Sequence, residues 1–515
     1  VSKFNRTATR PATGTGPVVT EATPTGLTHE GAPGYARDVK SELFLLAVAN
    51  MVSEGTFYES GRERDSRYAQ LVRAVALADP DWTGRFLGWL RGDANMRSAS
   101  LAGALEAAKA MVDAKAPGSR PMVASVLRRA DEPGEALAYW TSRYGRAVPK
   151  PVKRGIADAA ARLYNEYALL KYDTASKGFR FADVLDLTHP SPSAPWQGDL
   201  FACALARRHN RDEPCRDSLP MIAANAALRA SAAEDPAVML DPDALKAAGM
   251  TWEDALSLVG SKVDKGELWT ALIPSMGYMA LLRNLRNFDQ AGVPDGTAHD
   301  VMARLTDPTQ VAKSRQFPFR FLSAYRAAPS LRWGHSLEVA LNLSLANVPE
   351  VSGRTLVLVD RSGSMFSGVS DRSGLNRADQ AALFGAALAL RTVGRTDLIQ
   401  FGSSSAMVPV KAGDSLLRIV QERFANLGGT FTAAAVQRWY AKHDRVVIVT
   451  DEQAHDGNPG GVVPPTVPVY TWNLAGYRYG HGPGEVNRHT FAGMTDAAFR
   501  LIPLMEAGKN QTWPF

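Results

Sequence analysis

The sequence predicts a molecule in two folded parts, an all-α stack of antiparallel helix pairs over residues 39–350 and a doubly wound α/β module over residues 351–515. Three observations carry that expectation. From Val39 to about Asn347, helix-forming runs follow one another with short polar breaks and no alternating strands. Beyond Val351 the texture changes, and apolar strands such as LVLV (Leu356–Val359) and VVIVT (Val446–Thr450) alternate with amphipathic runs rich in alanine. The length of 515 residues also exceeds what a single core normally serves.

Residues 1–38 are rich in Thr, Pro and Gly and lightly charged. Such a segment cannot nucleate a core, so it is expected to be disordered or to lie as an extended strap on a neighbouring surface. The helical runs then begin with SELFLLAVANMV, YAQLVRAVALA, WTGRFLGWLR, SLAGALEAAKAMV and PMVASVLRRA. They resume in KRGIADAAARLYNEYAL, DLFACALARRH and WTALIPSMGYMALLRNLRNF, with no fixed-period consensus. In the module, strands are expected at Leu356–Val359, Asp397–Phe401, Val446–Thr450 and Val467–Trp472. Helices are expected at Ala378–Thr392, Leu416–Phe424 and Thr432–Lys442. Ligands of parallel sheets sit beyond the carboxyl ends of the strands. The polar insert Phe366–Arg377 is therefore expected to rim a site there, and Trp472, Tyr477 and Tyr479 to form either an apolar rim or ordinary packing.

Two strands deliver chemistry to that edge. Leu356–Val359 runs into Asp360, Ser362 and Ser364, whose oxygens share a concavity if the chain turns sharply at Gly363. Val446–Thr450 runs into Asp451, and the loop Gly428–Gly429–Thr430 supplies a further hydroxyl, with Thr432 a second in the same loop. All these donors are hard oxygens, which suit Mg²⁺, with Mn²⁺ admissible, and do not suit zinc or copper. Neither GxxxxGK[ST] nor a post-strand GxGxxG occurs in this region, which argues against a phosphate loop. The set resembles the metal-ion-dependent adhesion site of von Willebrand factor A modules, whose Asp-x-Ser-x-Ser, distant Thr and distant Asp match Asp360, Ser362, Ser364, Thr430 and Asp451 in order.

Composition bounds the function classes. The apolar share of 45% is ordinary for a globular protein, and no uninterrupted apolar run is long enough to cross a bilayer. No charged start followed by an apolar core suggests export. The two cysteines, Cys203 and Cys215, lack the pattern of a disulfide framework or a zinc site and fit a reducing cytoplasm. No paired histidine, catalytic dyad or carboxylate cluster points to an enzyme, and a two-metal nuclease needs such a cluster. Between Arg143 and Arg180 there are nine basic residues against three acidic ones, within a chain of net charge +6. Lys150, Lys153, Arg154, Lys171, Lys177 and Arg180 belong to this stretch and are candidate phosphate contacts. The aromatics among them, including Tyr164, Tyr167 and Tyr172, either stack on unpaired bases or fill the core. His189, in DLTHPSP, is placed at a helix end beside this stretch.

The order KRGIADAAARLYNEYALLKY, FADVLDLTHPSP, ELWTALIPSMGYMALLRNLRNF, FPFRFLSAY and then the DxSxS module resembles the Ro ribonucleoprotein autoantigen family, whose helical part is the TROVE domain. The resemblance implies a ring of HEAT-type repeats over residues 39–350, bridged by a von Willebrand factor A-like domain over residues 351–515. It implies small structured non-coding Y RNA on a basic outer surface, single-stranded 3′ ends of misfolded or structured RNA in the hole, and an exonuclease tethered through the RNA. Under it, Lys171 and His189 become outer-face contacts, and Arg283, Arg286, Arg315 and Arg320 candidates for the hole or its rim. The family's arginine a few residues after the lysine has no match in KYDTASKG. A closed ring needs no second copy, so a cytoplasmic monomer is expected, acting as a non-catalytic RNA scaffold in RNA quality control. The alternative is a metal-dependent adhesion module that takes a partner's carboxylate, without a specific RNA function.

Overall fold

The computed structural model describes residues 14–49, 52–211, 217–368 and 374–515. The sequence's helical texture becomes a succession of packed helices from Val39–Ala49 to Leu331–Ser344. Local chemistry sets their ends. Helix Gly61–Ala78 starts on a capping box, in which Ser60 Oγ accepts the Glu63 N–H at 3.2 Å and Glu63 Oε2 accepts the Ser60 N–H at 2.8 Å. Asp79 then closes that helix and opens Pro80–Gly92, its carboxylate accepting the Trp82 N–H at 3.0 Å. Helix Arg97–Asp113, built largely of alanine and leucine, is covered on nearly every side and forms the centre of this end of the body.

The helices return on themselves. Asn95, between the third and fourth helices, donates to the Arg315 carbonyl at 2.9 Å, and the Arg315 guanidinium donates back to the Gly92 carbonyl at 2.7 Å. Arg315 has a left-handed φ of 51° just after helix Pro308–Ser314. These reciprocal bonds join segments 220 residues apart and close the helical body. Arg315, expected in the hole or its rim, spends its guanidinium on this closure.

The module is a six-stranded sheet of β1 (Ser352–Asp360), β2 (Val393–Phe401), β3 (Ser405–Met407), β4 (Arg445–Thr450), β5 (Val469–Asn473) and β6 (Arg488–Ala492). The order is β3-β2-β1-β4-β5-β6, parallel throughout except for β3. Two of these strands, β3 and β6, are not legible in the sequence. β3 is only three residues long, and β6 carries Arg488 and His489, so neither reads as an apolar run. Helix Arg377–Arg391, capped by Asn376 and Asp379, lies directly on β1. Gly385 makes that approach possible, since a Cβ there would come within 2.3 Å of Val359 Cγ2. Leu416–Glu422 and Thr432–Trp439 are shorter than expected, the second ending where Trp439 turns its indole N–H to Ser405 Oγ at 2.9 Å.

Residues 14–38 do form an extended segment against the module. A short antiparallel ladder pairs Gly26–Leu27 with Pro33–Gly34, and Tyr35 bridges to Gly480. Gly14 N–H donates to the Met505 carbonyl at 2.6 Å. The module also holds both ends of the helical body. Arg64 and Arg67 donate to the carbonyls of Ala475 (2.5 Å) and Gly476 (3.0 Å), and near the other end Arg326 forms a bidentate pair with Asp379 at 2.9 Å. Trp472 and Tyr477 are buried, Trp472 stacking on Phe384, so these two aromatics are packing. Cys203 is half-buried on helix Pro195–Arg208, while Cys215 lies outside the described residues. Among the described residues no helix is long and apolar enough to cross a membrane.

Candidate metal centre and nucleic-acid interface

β1 and β4 are neighbours in the sheet, so Asp360 and Asp451 emerge side by side at its carboxyl edge. Ser362 N–H donates to Asp360 Oδ1 at 2.8 Å, which folds the chain back over the strand end, and the Ser362 and Ser364 hydroxyls stand 3.2 Å apart. Gly363 has no positive φ. The turn is instead a short 3₁₀ segment, Gly363–Phe366, anchored where Gly363 N–H meets the Gly428 carbonyl at 2.5 Å. That bond ties the serine loop to the glycine loop bearing Thr430, whose N–H donates to His455 Nδ1 at 3.2 Å. All five expected ligands, Asp360, Ser362, Ser364, Thr430 and Asp451, are buried.

The electrostatics define the kind of ligand this site would take. Burial pushes the Asp360 carboxyl above its ordinary range, against hydrogen bonds from Thr450 (2.5 Å) and Ser362. Burial, and then the neighbouring Asp360, push Asp451 up to about 7. Two buried carboxylates facing each other need a cation or a proton. The nearby guanidiniums are committed elsewhere, Arg361 to the carbonyls of Ala425 and Ala378 and Arg377 to those of Leu474 and Gly368. Two carboxylates and three hydroxyls therefore have the donor chemistry of a site for a hard divalent ion, which Asp360, Ser362, Ser364, Thr430 and Asp451 would hold. Among the described residues no group of three His, Cys, Asp or Glu side chains is placed to hold a metal ion, so this mixed oxygen set is the candidate centre. The other loop hydroxyl, Thr432 Oγ1, is buried and has no hydrogen-bond partner.

Several residues around this edge were not found from sequence. Thr450, the last residue of β4, bonds Asp360, and its place just before Asp451 was the available signal. Glu452 forms a buried pair with Arg37 of the strap at 2.6 Å, with Asn473 as a second donor. Glu30, also from the strap, pairs with His455 at 2.7 Å, and Thr28 donates to the Ala454 carbonyl at 2.8 Å. The strap thus covers the loop that follows Asp451. Of the insert expected to rim the site, residues 369–373 lie outside the described residues.

The expected RNA contacts divide into two kinds. Lys150 and Arg154 are exposed and Lys153 half-exposed on the first turns of helix Lys150–Leu163. Arg283 and Arg286 are exposed on helix Tyr278–Gln290, and His189 is the exposed left-handed cap of helix Phe181–Thr188. By contrast, Arg180 pairs at 2.5 Å with buried Asp173, and Lys177 lies 3.5 Å from Asp131 and Glu135. Both of these cations therefore carry ion pairs within the fold.

Lys171 extends along the rings of Tyr167 and Tyr172, each about 5.3 Å away. Burial of its stem works against its charge, and the two tyrosines outweigh that and raise its pKa. By resemblance, Lys171 is expected on an outer face and Arg283 in a hole or its rim. The structure brings both to the lining of one cavity of about 600 Å³. The reason is packing: Glu166 accepts the Ile222 N–H at 2.9 Å and docks helix Glu166–Tyr172, and Tyr167 reaches the chain at Gly249, beside Met250–Glu253.

Comparison with known proteins places this geometry among relatives. A TROVE domain model matches residues 247–332. The RNA-binding protein RO60 of Deinococcus radiodurans is 28% identical over 271 residues, which are 48% of this chain and 48% of that protein. The chain therefore spans about half the length of this curated relative. Telomerase protein component 1 of Mus musculus is 41% identical over 83 residues, 16% of this chain and 3% of that protein. The crystal structure of the Deinococcus radiodurans RO (RSR) protein superposes with a TM-score of 0.62 at 21% identity, covering 91% of this chain and 100% of that one.

Proposed function

The chain is a Ro-like protein, and from that premise we propose that it is a non-catalytic RNA-binding scaffold. The observation that carries the reading is the set of exposed cations Lys150, Arg154, Lys171, Arg283 and Arg286 on a closed helical body, since unneutralised cations on a rigid surface are what phosphates require. The ligands we assign are small structured non-coding RNA of the Y type and the single-stranded 3′ ends of misfolded or structured RNA. The protein would present them, as a monomer in the cytoplasm, to an exonuclease tethered through the RNA.

A second reading rests on the buried Asp360 and Asp451. We assign Mg²⁺ to this pair and its three hydroxyls, with Mn²⁺ as a substitute. When bound, the ion would leave a coordination position for a carboxylate from a protein partner. The two readings occupy different parts of the chain and are compatible.

The test is to recover the protein from its own cells, extract the bound nucleic acid and sequence it. A discrete structured RNA supports the scaffold. Recovery of protein partners alone would leave only the adhesion reading. Affinity for that RNA should fall by orders of magnitude between about 50 and 200 mM salt, because phosphate contacts release counterions.

A further inference from the structure

The cavity that joins Lys171 to Arg283 has features that a general basic face does not need. At one side stands Tyr167, 43% exposed despite its position in the lining, with the Lys171 ammonium over its ring. At the other side is the start of helix Tyr278–Gln290, which has Gly277 as its N-cap and no side-chain capping bond. Leu281 N–H makes the first intrahelical bond, to the Gly277 carbonyl at 3.1 Å, so the amides of Tyr278, Met279 and Ala280 precede it, and all three residues line the cavity. An uncapped helix start concentrates amide donors and positive potential where an anion can sit. Arg283, one turn along, and Lys313, also in the lining, are exposed and add full charges. Arg304, also in the lining, is occupied in holding the carbonyls of Ile273 (2.9 Å) and Met276 (2.5 Å), which fixes the loop that delivers this helix start.

Resting on the RNA-binding reading, we propose that this cavity is a single-nucleotide subsite for unpaired RNA: the base stacks on Tyr167, and its phosphate lies at the N-terminus of helix Tyr278–Gln290 between Arg283 and Lys313. A volume of about 600 Å³ is in the range of small-ligand pockets and accommodates one nucleotide, not a duplex. Met279, 48% exposed at the helix start, supplies an apolar surface for the base edge. The subsite selects for single strands, because a base can reach Tyr167 only when it is out of a helical stack. It reads no base identity, since stacking accepts any base.

The experiment uses the full chain and a fluorescently labelled hexauridylate, with a stem-loop RNA as a second probe. Tyr167→Ala should weaken hexauridylate binding by about 5- to 100-fold, the loss expected for one stacked base, and Tyr167→Phe should restore it. The double substitution Arg283→Gln with Lys313→Gln should flatten the salt dependence for hexauridylate by about 0.7, the contribution of one phosphate on a single strand. A hexamer with 4-thiouridine should crosslink at Tyr167 or Met279. Wild type that binds hexauridylate while Tyr167→Ala binds it equally well overturns the subsite and leaves the RNA reading standing. Wild type that binds neither RNA overturns both. An acidic peptide that occupies the cavity and is not displaced by hexauridylate also overturns the subsite.

Discussion

Glu452 accepts the Arg37 guanidinium at 2.6 Å one residue beyond the candidate ligand Asp451, and both side chains are almost fully buried. Glu452 also has a left-handed φ of 63°, which a non-glycine residue keeps only when its surroundings fix it. The strap therefore helps set the backbone on which Asp451 sits. Arg37→Met leaves Glu452 as an unpaired buried charge and should cost about 3–5 kcal/mol. Thermal unfolding should show the loss, and Mg²⁺ titration should show weaker binding. Adding Glu452→Gln should recover part of the stability. An unchanged melting temperature in the single variant would show that the pair holds nothing in place.

Asp360→Ala removes one of two facing carboxylates. Calorimetric titration should detect Mg²⁺ or Mn²⁺ binding to the wild type and none to the variant. Binding of a stem-type RNA should be essentially unchanged, because its contacts are assigned to cations of the helical body. Asp360→Asn, which keeps hydrogen-bond partners for the Ser362 N–H and the Thr450 hydroxyl while removing the like-charge contact, should melt no lower than the metal-free wild type. Joint loss of metal and RNA binding by a folded variant would contradict this division.

The two loop hydroxyls are separable by the same isosteric change. Thr430→Val should lower Mg²⁺ affinity by removing a ligand. Thr432→Val should leave affinity intact and raise the melting temperature, because Thr432 Oγ1 is a buried hydroxyl without a partner. The reverse pattern in calorimetry would move the ligand from Thr430 to Thr432.

His489 on β6 predicts a pH effect. Burial, and then Arg488, lower its pKa from 6.5 to about 4, and its Nε2 has no partner. The folded protein thus takes up this proton less readily than the unfolded chain. The stability it confers is complete above about pH 6.5 and is lost as the pH falls towards 4, in total ~3 kcal/mol. His489→Phe keeps the stack on Tyr470, whose ring centre is 5.3 Å away. Melting curves from pH 7 to 4.5 should fall less steeply for this variant than for the wild type, and parallel curves would refute the assignment.

What could be read in the sequence was what neighbours in the chain determine. The apolar, β-branched runs of β1 and β4 and the alanine-rich helix on β1 declare themselves by composition. Asp360, Ser362 and Ser364 share one loop, so their spacing was visible. The contacts that depend on distant segments were not. Nothing local to Arg315 marks it as the clasp of the helical body, and nothing local to Arg37 marks Glu452 as its partner. The same holds for Lys171 and Arg283, separated in the chain by the helices whose packing brings them to one cavity. Charge density identified the basic stretch, but could not distinguish Arg154, which faces solvent, from Arg180, which is held by Asp173.

The bridge from Tyr35 to Gly480 has a consequence for biosynthesis. The strap leaves the ribosome well before the loops it lies on, since Glu452, Ala454 and Gly480 follow more than 400 residues later. The early helices can pack with one another while translation continues, because their partners are close in sequence. The strap must wait, unpaired and soluble, which suits a stretch of Thr, Pro and Gly that neither aggregates nor seeds a premature sheet. The loop carrying Asp451 therefore acquires its final shape only when two segments more than 400 residues apart in the chain meet.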